Sequence, residues 1–400
     1  MIGSAETIQA ALPREIARRA HIQEALADLG RPGSRYRVAT PAAIVDLDIL
    51  EKNVATMRKA LEGKAVALRP HAKSHKCSRI ARIQVEAGAA GICCAKLGEA
   101  EALAESGVQS VLVTSPLIGA DIAARAVKLA ASMRDFAIVV DNPAAVTLFG
   151  EAARRSSFVL PVLIDSDVGH HRTGVVGAKM ALGLAKAIAS EPFLKLRGVQ
   201  GYGGHWQHIP DAATRRGAVT QGIQELSSIV AALKAEGFQI STITGGGSGS
   251  LHTDLELGVL NEIQPGSYIF MDREYHEALD GDMTPDGKGR FETSLFVQAR
   301  VVSANQPDHV TVDAGLKAFA TDGPLPRVAS AGFENLEYKF FGDEFGRLSG
   351  SSKNPFAAGD RIEFETPHCD PTIDRYDVLH LVRGDVLVEI AQVEGRGRSQ

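Results

Sequence analysis

The stretch V-A-L-R-P-H-A-K-S-H-K, from Val66 to Lys76, joins a short apolar run to a strongly basic turn. The apolar run predicts a buried strand, which Pro70 ends. The stretch holds two histidines, two lysines and one arginine, more positive charge than a structural turn needs. A segment with helical apolar spacing begins near Ile80. Lys73 is therefore predicted to lie between a strand and a helix, where parallel α/β proteins carry their chemistry.

A lysine at a strand end has two interpretations. It is either a solvated surface lysine or a partly desolvated nucleophile that can hold a carbonyl cofactor as a Schiff base. The residues around Lys73 leave both open, and the rest of the chain has to decide between them.

Composition excludes several classes of protein. The chain has 400 residues and a net charge of −5, without the basic footprint of a nucleic-acid or anionic-membrane binder. It has no apolar run of membrane-spanning length and no signal-peptide core near its start. Its four cysteines are typical of a reducing compartment. These features predict a cytoplasmic protein.

Apolar strand-like runs alternate with helical ones through the middle of the chain. Eight such strands are predicted near residues 64–69, 91–95, 110–114, 136–140, 159–165, 197–202, 240–244 and 259–263. This alternation is typical of a (β/α)8 TIM-like barrel, with a doubly wound open sheet as the main competitor.

The pattern changes after about residue 275, where short β-rich runs follow one another without helices. We predict an N-terminal helical extension over residues 1–35, with a helix at 12–30, and a barrel over 36–280. A C-terminal, mostly β domain with a metal site is predicted over 281–400, and the strand at 43–47 is a possible addition to it.

Two glycine-containing segments follow the last predicted barrel strands. The first is T-G-G-G-S-G-S from Thr244 to Ser250, and the second is Q-P-G-S-Y from Gln264 to Tyr268. Glycine lets backbone N–H groups approach an anion closely, and barrels often bind phosphate after strands seven and eight. A tight loop without a ligand is the alternative. The spacing matches neither the P-loop nor the dinucleotide motif.

Two further groups of polar residues suggest catalysis. Tyr202, His205 and His208 follow predicted strand six, where a tyrosine can meet a cofactor ring and a histidine can exchange a proton. Far downstream, His368 and Asp370 are two residues apart. In an extended segment they would point to the same side and share one cation, with Mn²⁺ or Mg²⁺ favoured over a structural zinc.

Together these motifs resemble the fold-type III pyridoxal-phosphate enzymes, in the group of D-threonine aldolase, 3-hydroxy-D-aspartate aldolase and D-serine dehydratase. The resemblance runs from about Thr40 to the C-terminus. It rests on R-P-H-A-K-S-H-K, G-I-C-C, Q-G-Y-x-G with Q-H, T-G-G-G-S-G-S, E-I-Q-P-G-S-Y-I-F-M-D, V-D-A-G-L-K and H-C-D-P-T.

The resemblance implies roles for individual residues. Lys73 matches the lysine that holds the cofactor, and His208 matches the base for the substrate hydroxyl. Gln264 stands where alanine racemases have an arginine facing the pyridine nitrogen. His368 and Asp370 match a divalent-metal pair, for Mn²⁺ or Mg²⁺, with Zn²⁺ as a further candidate. The residues predicted to bind pyridoxal phosphate are Lys73, Arg69, Tyr202, Thr244, Gly246, Gly247, Ser248, Gln264, Gly266, Ser267 and Tyr268.

The implied reaction is cleavage of a D-3-hydroxy amino acid to glycine and an aldehyde by a homodimer, with Arg69 or Arg172 as candidates for a second substrate carboxylate. Elimination to a keto acid and ammonia is the alternative, because the same residues support it. A racemase or a non-catalytic pyridoxal-phosphate binder is expected less. Two residues depart from the aldolase pattern, Phe345 in place of a histidine and Ala95 in place of a glutamine.

Overall fold

The computed structural model describes residues 3–279, 291–333, 335–350 and 355–400. The predicted boundary at residue 280 lies outside the described residues. Among those described, none of the helices is both long and apolar enough to cross a membrane.

Seventeen strands and thirteen α-helices make up the described chain. The strands are β1 (Ala42–Asp46), β2 (Ala67–Leu68), β3 (Ile92–Cys94), β4 (Ser110–Val113), β5 (Asp135–Val140), β6 (Leu160–Ser166), β7 (Leu194–Gly201), β8 (Thr242–Gly245), β9 (Glu262–Ile263), β10 (Leu295–Ser303), β11 (His309–Val312), β12 (Arg327–Val328), β13 (Glu337–Phe340), β14 (Gly346–Ser349), β15 (Arg361–Glu365), β16 (Val378–Arg383) and β17 (Val386–Gln392). The helices are α1 (Ala5–Ala11), α2 (Arg14–Ala17), α3 (Ala20–Ala27), α4 (Leu47–Leu61), α5 (Ser78–Glu86), α6 (Leu97–Glu105), α7 (Ala120–Ser132), α8 (Pro143–Arg155), α9 (Gly177–Ala189), α10 (Ala212–Ala235), α11 (Leu251–Leu257), α12 (Arg273–Ala278) and α13 (Cys369–Ile373).

Eight parallel strands form the barrel sheet, in the order β2-β9-β8-β7-β6-β5-β4-β3. A bridge between His71 and Cys93 joins its two end strands just beyond β2. The interior is filled in part by Cys93, Leu112, Ala137, Val139 and Leu163. The predicted barrel fold is confirmed, and its strand ends bring the polar loops to one rim.

The second sheet has nine strands and consists mainly of C-terminal ones. β1 lies in its middle, antiparallel to β10 and parallel to β16. Asp46 then caps α4, because its Oδ1 accepts hydrogen bonds from the N–H groups of Asp48 and Ile49. α13, which follows β15, packs against the turn Ala72–Ser74 after β2. This contact brings residues of the second sheet to the barrel rim.

The single helix predicted over residues 12–30 is wrong. Two short helices, α2 and α3, occupy this region, and α1 ends before it at Ala11. α2 ends at Ala17 and α3 begins at Ala20, because Arg19 between them has an extended backbone. The apolar periodicity continues across this break and does not reveal it. The buried side chains of these helices pack against β16 and β17.

Candidate active site

Lys73 lies in the short 3-10 turn after β2, and His71 holds that turn in place. His71 Nδ1 accepts a hydrogen bond from the Lys73 N–H at 3.2 Å, and its Nε2 lies 3.0 Å from Thr114 Oγ1. The Thr114 hydroxyl donates to the Cys94 carbonyl, so it accepts from His71 Nε2. Burial lowers the pKa of His71 to about 3, which keeps the ring neutral in this arrangement. These hydrogen bonds of His71 therefore hold the backbone of Lys73 in place.

The Lys73 side chain pairs with the carboxylate of Asp370, which lies in α13, the helix between β15 and β16. Its Nζ lies 2.8 Å from Asp370 Oδ2. Burial acts to lower the pKa of Lys73, but the Asp370 charge outweighs it and raises that pKa well above its ordinary value. Burial likewise acts to raise the pKa of Asp370, and Lys73 and His368 together hold it below its usual range.

The two segments predicted to bind phosphate lie side by side after β8 and β9. Ser248 Oγ accepts a hydrogen bond from the Tyr268 N–H at 3.0 Å and so joins them. Gly246 has φ +70°, a conformation that favours glycine. A Cβ on Gly266 would lie 3.0 Å from the His71 carbonyl oxygen, so this segment also abuts the lysine turn.

A buried network behind the glycine run shapes it. Gln207 Oε1 accepts from the Gly249 N–H at 2.9 Å, and Gln207 Nε2 donates to Ser250 Oγ at 3.0 Å. Ser250 in turn accepts from the Gly247 N–H and donates to Asp254 Oδ2 at 2.6 Å. Burial raises the pKa of Asp254 to about 7. The sequence prediction missed this network, although Gln207 belongs to the Q-H pair.

A layer of amides lies under the same loops. Gln264 donates from Nε2 to Thr244 Oγ1 at 2.9 Å and to Gln200 Oε1 at 3.2 Å. The Thr244 hydroxyl is therefore engaged by Gln264. Tyr202 lies at the end of β7, with the Arg172 guanidinium 5.8 Å from its ring centre. Arg172 thus belongs to this rim.

The structure does not bring Arg69 or the Tyr268 ring to this group. The Arg69 guanidinium is buried at the opposite end of the barrel, where it donates to Glu262, Ser110 and Asp135. These partners begin β9, β4 and β5. Alternate strand residues fill successive layers of the barrel interior. Because Arg69 is two residues before His71, its side chain lies in a layer further from the rim.

The Tyr268 hydroxyl accepts from Gln84 on α5, and its ring is fully buried in the core. Tyr268 therefore contributes its backbone N–H to the rim and not its phenol. In an extended strand end the ring would have been expected to face the loops, but Ser267 begins a 3-10 turn that redirects it.

His368 and Asp370 come together, with His368 Nε2 3.9 Å from Asp370 Oδ2. They do so without the extended segment that the sequence argument considered, because α13 begins at Cys369 with His368 as its N-cap. His368 Nδ1 lies 3.0 Å from Asp322 Oδ2, which directs Nε2 towards Asp370. Within the described ranges, no group of three or more His, Cys, Asp or Glu is arranged to hold a metal. A cation at this pair would need other ligands such as water.

His208 lies next to this pair, with its ring centre 6.3 Å from that of His368 and 4.5 Å from that of Tyr275. Its Nδ1 is 3.5 Å from Glu274 Oε1. Burial is the largest cause that lowers the pKa of His208, to about 4, and the neighbouring His368 adds to it. His208 is thus a neutral imidazole beside the candidate metal ligands.

Sequence reasoning missed Glu274, Tyr275 and Asp322. Glu274 and Tyr275 follow the quoted E-I-Q-P-G-S-Y-I-F-M-D motif within three residues, and this proximity was the available signal. Asp322 lies in a loop without a periodic or spaced pattern, so no sequence signal points to it. Of the two departures, Phe345 lies exposed before β14, and the Ala95 N–H donates to Glu99.

Comparison with known proteins decides the family. The alanine racemase N-terminal domain family matches residues 45–274, and the putative serine dehydratase domain matches residues 294–382. The chain belongs to this alanine racemase-like family. It is 35% identical to D-threonine aldolase from Arthrobacter sp over 379 residues, which cover 94% of this chain and 98% of that protein.

Other members of the family extend this likeness. 3-Hydroxy-D-aspartate aldolase of Paracoccus denitrificans is 32% identical over 362 residues, covering 90% of this chain and 93% of that one. The crystal structure of D-threonine aldolase from Filomicrobium marinum has a TM-score of 0.86 at 34% identity, covering 90% and 97%. A D-threo-3-hydroxyaspartate dehydratase from Delftia sp. is 27% identical over 58% of this chain and 61% of that protein. The resemblance inferred from the motifs is confirmed, and the predicted lyase class agrees with the two named aldolases.

Membership of this fold-type III family implies pyridoxal phosphate as the cofactor. The residues present fit it. Gly249 and Gly266 let these two segments pack closely against neighbouring backbone, where a side chain would collide. Gln264 Oε1 is buried and has no hydrogen-bond partner within the described residues. Lys73 lies on the turn that abuts the Gly266 segment and supplies an amine there.

Proposed function

We propose that this protein cleaves D-3-hydroxy amino acids into glycine and an aldehyde, using pyridoxal phosphate and a divalent cation. The observation that carries the proposal is the meeting of Lys73 from the barrel with Asp370 and His368 from the segment after β15. An amine for the cofactor and ligands for a cation at the substrate oxygen then lie next to one another.

Each residue has a role that follows from its chemistry. Lys73 holds the cofactor aldehyde through its Nζ, and Ser248 with the Gly266 segment binds the phosphate. Pyridoxal phosphate, when bound, stabilises negative charge on the carbon beside the substrate amine. His368 and Asp370 would hold Mn²⁺ or Mg²⁺, which lowers the pKa of a bound hydroxyl.

His208 accepts the proton of the substrate hydroxyl. Glu274 faces its Nδ1, which favours the tautomer with that nitrogen protonated and leaves Nε2 as the acceptor. Loss of that proton breaks the bond between the α and β carbons, and the β carbon leaves as the aldehyde. The electron pair left on the α carbon takes up a proton to give glycine. A neutral histidine is the form that can act as this base.

Elimination to a keto acid and ammonia is the second candidate. The serine dehydratase domain match and the dehydratase relative favour it. Lys73 would then remove the proton from the α carbon, which carries the amine, and the hydroxyl on the β carbon would leave.

Product analysis separates the two reactions. Purified protein loaded with pyridoxal phosphate and Mn²⁺ is incubated with D-threonine, and glycine with acetaldehyde is expected. Ammonia with 2-oxobutanoate would overturn the proposal in favour of elimination. L-Threonine serves as the stereochemical control, and Lys73→Ala is expected to abolish either reaction.

A further inference from the structure

Two ion pairs join the lysine turn to α13 side by side. Lys73 Nζ lies 2.8 Å from Asp370 Oδ2, and Lys76 Nζ lies 2.9 Å from Asp374 Oδ1. Asp370 lies in the first turn of α13 and Asp374 is its C-cap. Because these two residues are four apart on a helix, their side chains share one face of it. The proposed function uses Lys73 and Asp370 but neither member of the second pair.

Lys76 is held in place at both its backbone and its amine. Its φ of +49° is a conformation that residues other than glycine rarely adopt, and its side chain is only 8% exposed. The Gly395 N–H donates to its carbonyl oxygen at 2.9 Å, and Glu99 Oε1 lies 3.2 Å from its Nζ. Burial acts to lower the pKa of Lys76, but the hydrogen bond to Asp374 and the charge of Glu99 outweigh it and raise that pKa. Lys76 is therefore an enclosed cation at neutral pH.

The pair between Lys73 and Asp370 cannot persist in the loaded enzyme. When Lys73 Nζ bonds to the aldehyde carbon of the cofactor, the aldehyde oxygen leaves as water with two of the amine hydrogens, and the nitrogen keeps at most one. Asp370 is required at the same time as a ligand of the cation. The contact that joins α13 to Lys73 is thus given up when the helix has to present His368 and Asp370.

We propose that Lys76 is a positioning residue, which holds α13 against the lysine turn once Lys73 is bonded to the cofactor. The start of the helix is held separately, because Asp272 Oδ2 accepts from the Cys369 N–H at 2.8 Å. The pair of Lys76 with Asp374 holds its C-terminal end. This role rests on the proposed function, since it requires the cofactor on Lys73, but it is the same for cleavage and for elimination.

Hydrogen–deuterium exchange of residues 369–376 tests this role in metal-free protein, with and without pyridoxal phosphate. Loading is expected to leave the exchange rate of the unaltered protein the same. In Lys76→Met and Asp374→Leu, loading is expected to raise it by on the order of tenfold, as loss of a hydrogen bond to a charged group predicts. Without cofactor both variants are expected to exchange close to the unaltered rate, since Lys73 still pairs with Asp370. A role in folding alone would raise exchange equally in both states.

Two control variants accompany these. Asp374→Asn keeps an oxygen that can accept from Lys76 and is expected to behave as the unaltered protein does. Arg79→Met removes another partly buried cation, which joins α5 to β17 through Glu389, and is expected to leave the exchange of α13 unchanged. Asp374→Leu leaves Lys76 paired with Glu99, so it carries the test if Lys76→Met folds poorly.

Titration with Mn²⁺ followed by electron paramagnetic resonance gives a second readout. Cofactor-loaded Lys76→Met is expected to bind Mn²⁺ about tenfold more weakly than the unaltered holoenzyme, because the metal pair is less well oriented. Exchange that does not depend on the cofactor in either variant would overturn this role, as would unchanged Mn²⁺ affinity.

Borohydride reduction and peptide mapping separate this role from the proposed function. Cofactor found on a lysine other than Lys73 would overturn both. Cofactor on Lys73, together with exchange of α13 that is the same in loaded and unloaded Lys76→Met, would overturn this role alone.

Discussion

The amine of Lys73 and the carboxylate of Asp370 are 2.8 Å apart, although they are separated by almost three hundred residues of chain. The first follows a barrel strand, and the second begins a short helix after β15. This contact places a candidate cofactor lysine next to a candidate metal ligand. Because both side chains are charged and largely enclosed, replacement of either leaves the other without its partner.

We expect Asp370→Asn to weaken Mn²⁺ binding by at least ~10-fold, because an amide is a poorer cation ligand than a carboxylate. Cofactor loading is expected to persist, since Lys73 and the glycine segments are unchanged. Titration with Mn²⁺ followed by electron paramagnetic resonance measures this. Asp374→Asn is the control, because Asp374 pairs with Lys76 and not with Lys73. Equal Mn²⁺ affinity in Asp370→Asn would argue against a metal at this pair.

Asp322 is expected to orient His368 from the outside. Asp322→Asn should lower Mn²⁺ affinity by ~10–100-fold, because the carboxylate fixes the ring and its tautomer. Asp308→Asn offers a matched comparison, as Asp308 pairs with His309 in the same way on the surface. Isothermal titration of both variants measures the effect. If the two behave alike, Asp322 does not support the metal pair.

Close packing behind the glycine run predicts a stability effect. A Cβ on Gly249 would lie 2.1 Å from the Gln207 carbonyl oxygen, so Gly249→Ala should destabilise the protein by about 1–3 kcal/mol and weaken cofactor binding. Gly217→Ala, in α10 with open space around it, should instead stabilise by about 0.5–1 kcal/mol. Urea unfolding and cofactor titration report both. A neutral Gly249→Ala variant would refute the packing argument.

The position of Arg69 predicts a structural role. Arg69→Met leaves Glu262 without its charged partner, whereas Asp135 keeps Arg197, and the change should cost about 3–5 kcal/mol of unfolding free energy. The double variant with Glu262→Gln is expected to recover part of that loss. Thermal unfolding measures the stability, and cofactor titration at low temperature measures binding. A selective loss of cofactor with normal stability would instead support the original assignment of Arg69 to the cofactor site.

His380 predicts a pH dependence of stability. Burial is the main cause that lowers its pKa to about 4, while a hydrogen bond to the Ala43 carbonyl opposes the shift. In the unfolded chain His380 has its ordinary pKa of 6.5, so between pH 4 and 6.5 the unfolded chain binds more protons than the folded one. The free energy of unfolding is therefore unaffected by His380 above pH 6.5 and falls as the pH decreases through this range. Over this whole pH range the free energy of unfolding is expected to fall by about 3 kcal/mol because of His380.

Urea unfolding across this pH range tests the sign. His380→Leu should flatten the decline relative to the unaltered protein, and parallel curves would contradict the prediction. His71 and His75 are buried with lowered pKa values too, so their contribution remains in both curves and cancels in the difference.

The sequence by itself determined the barrel, the lysine turn after its first strand and the glycine segments after its last two. These features are local: each depends on apolar periodicity and on turn residues within a dozen positions. The same reasoning failed for the helix predicted at 12–30, because the apolar periodicity continued past Arg19, where the backbone is extended and the helix is interrupted.

Only the tertiary structure decided which distant groups meet. In it Asp322 contacts His368 and Glu274 lies beside His208. Arg69 lies at the opposite end of the barrel. It also linked Thr114, Gln200 and Gln264 into one chain of hydrogen bonds. These contacts join loops and strands far apart in sequence, and their geometry depends on strand order and on layers of side chains inside the barrel. Neither is encoded in any short stretch, which is why spacing alone did not reveal them.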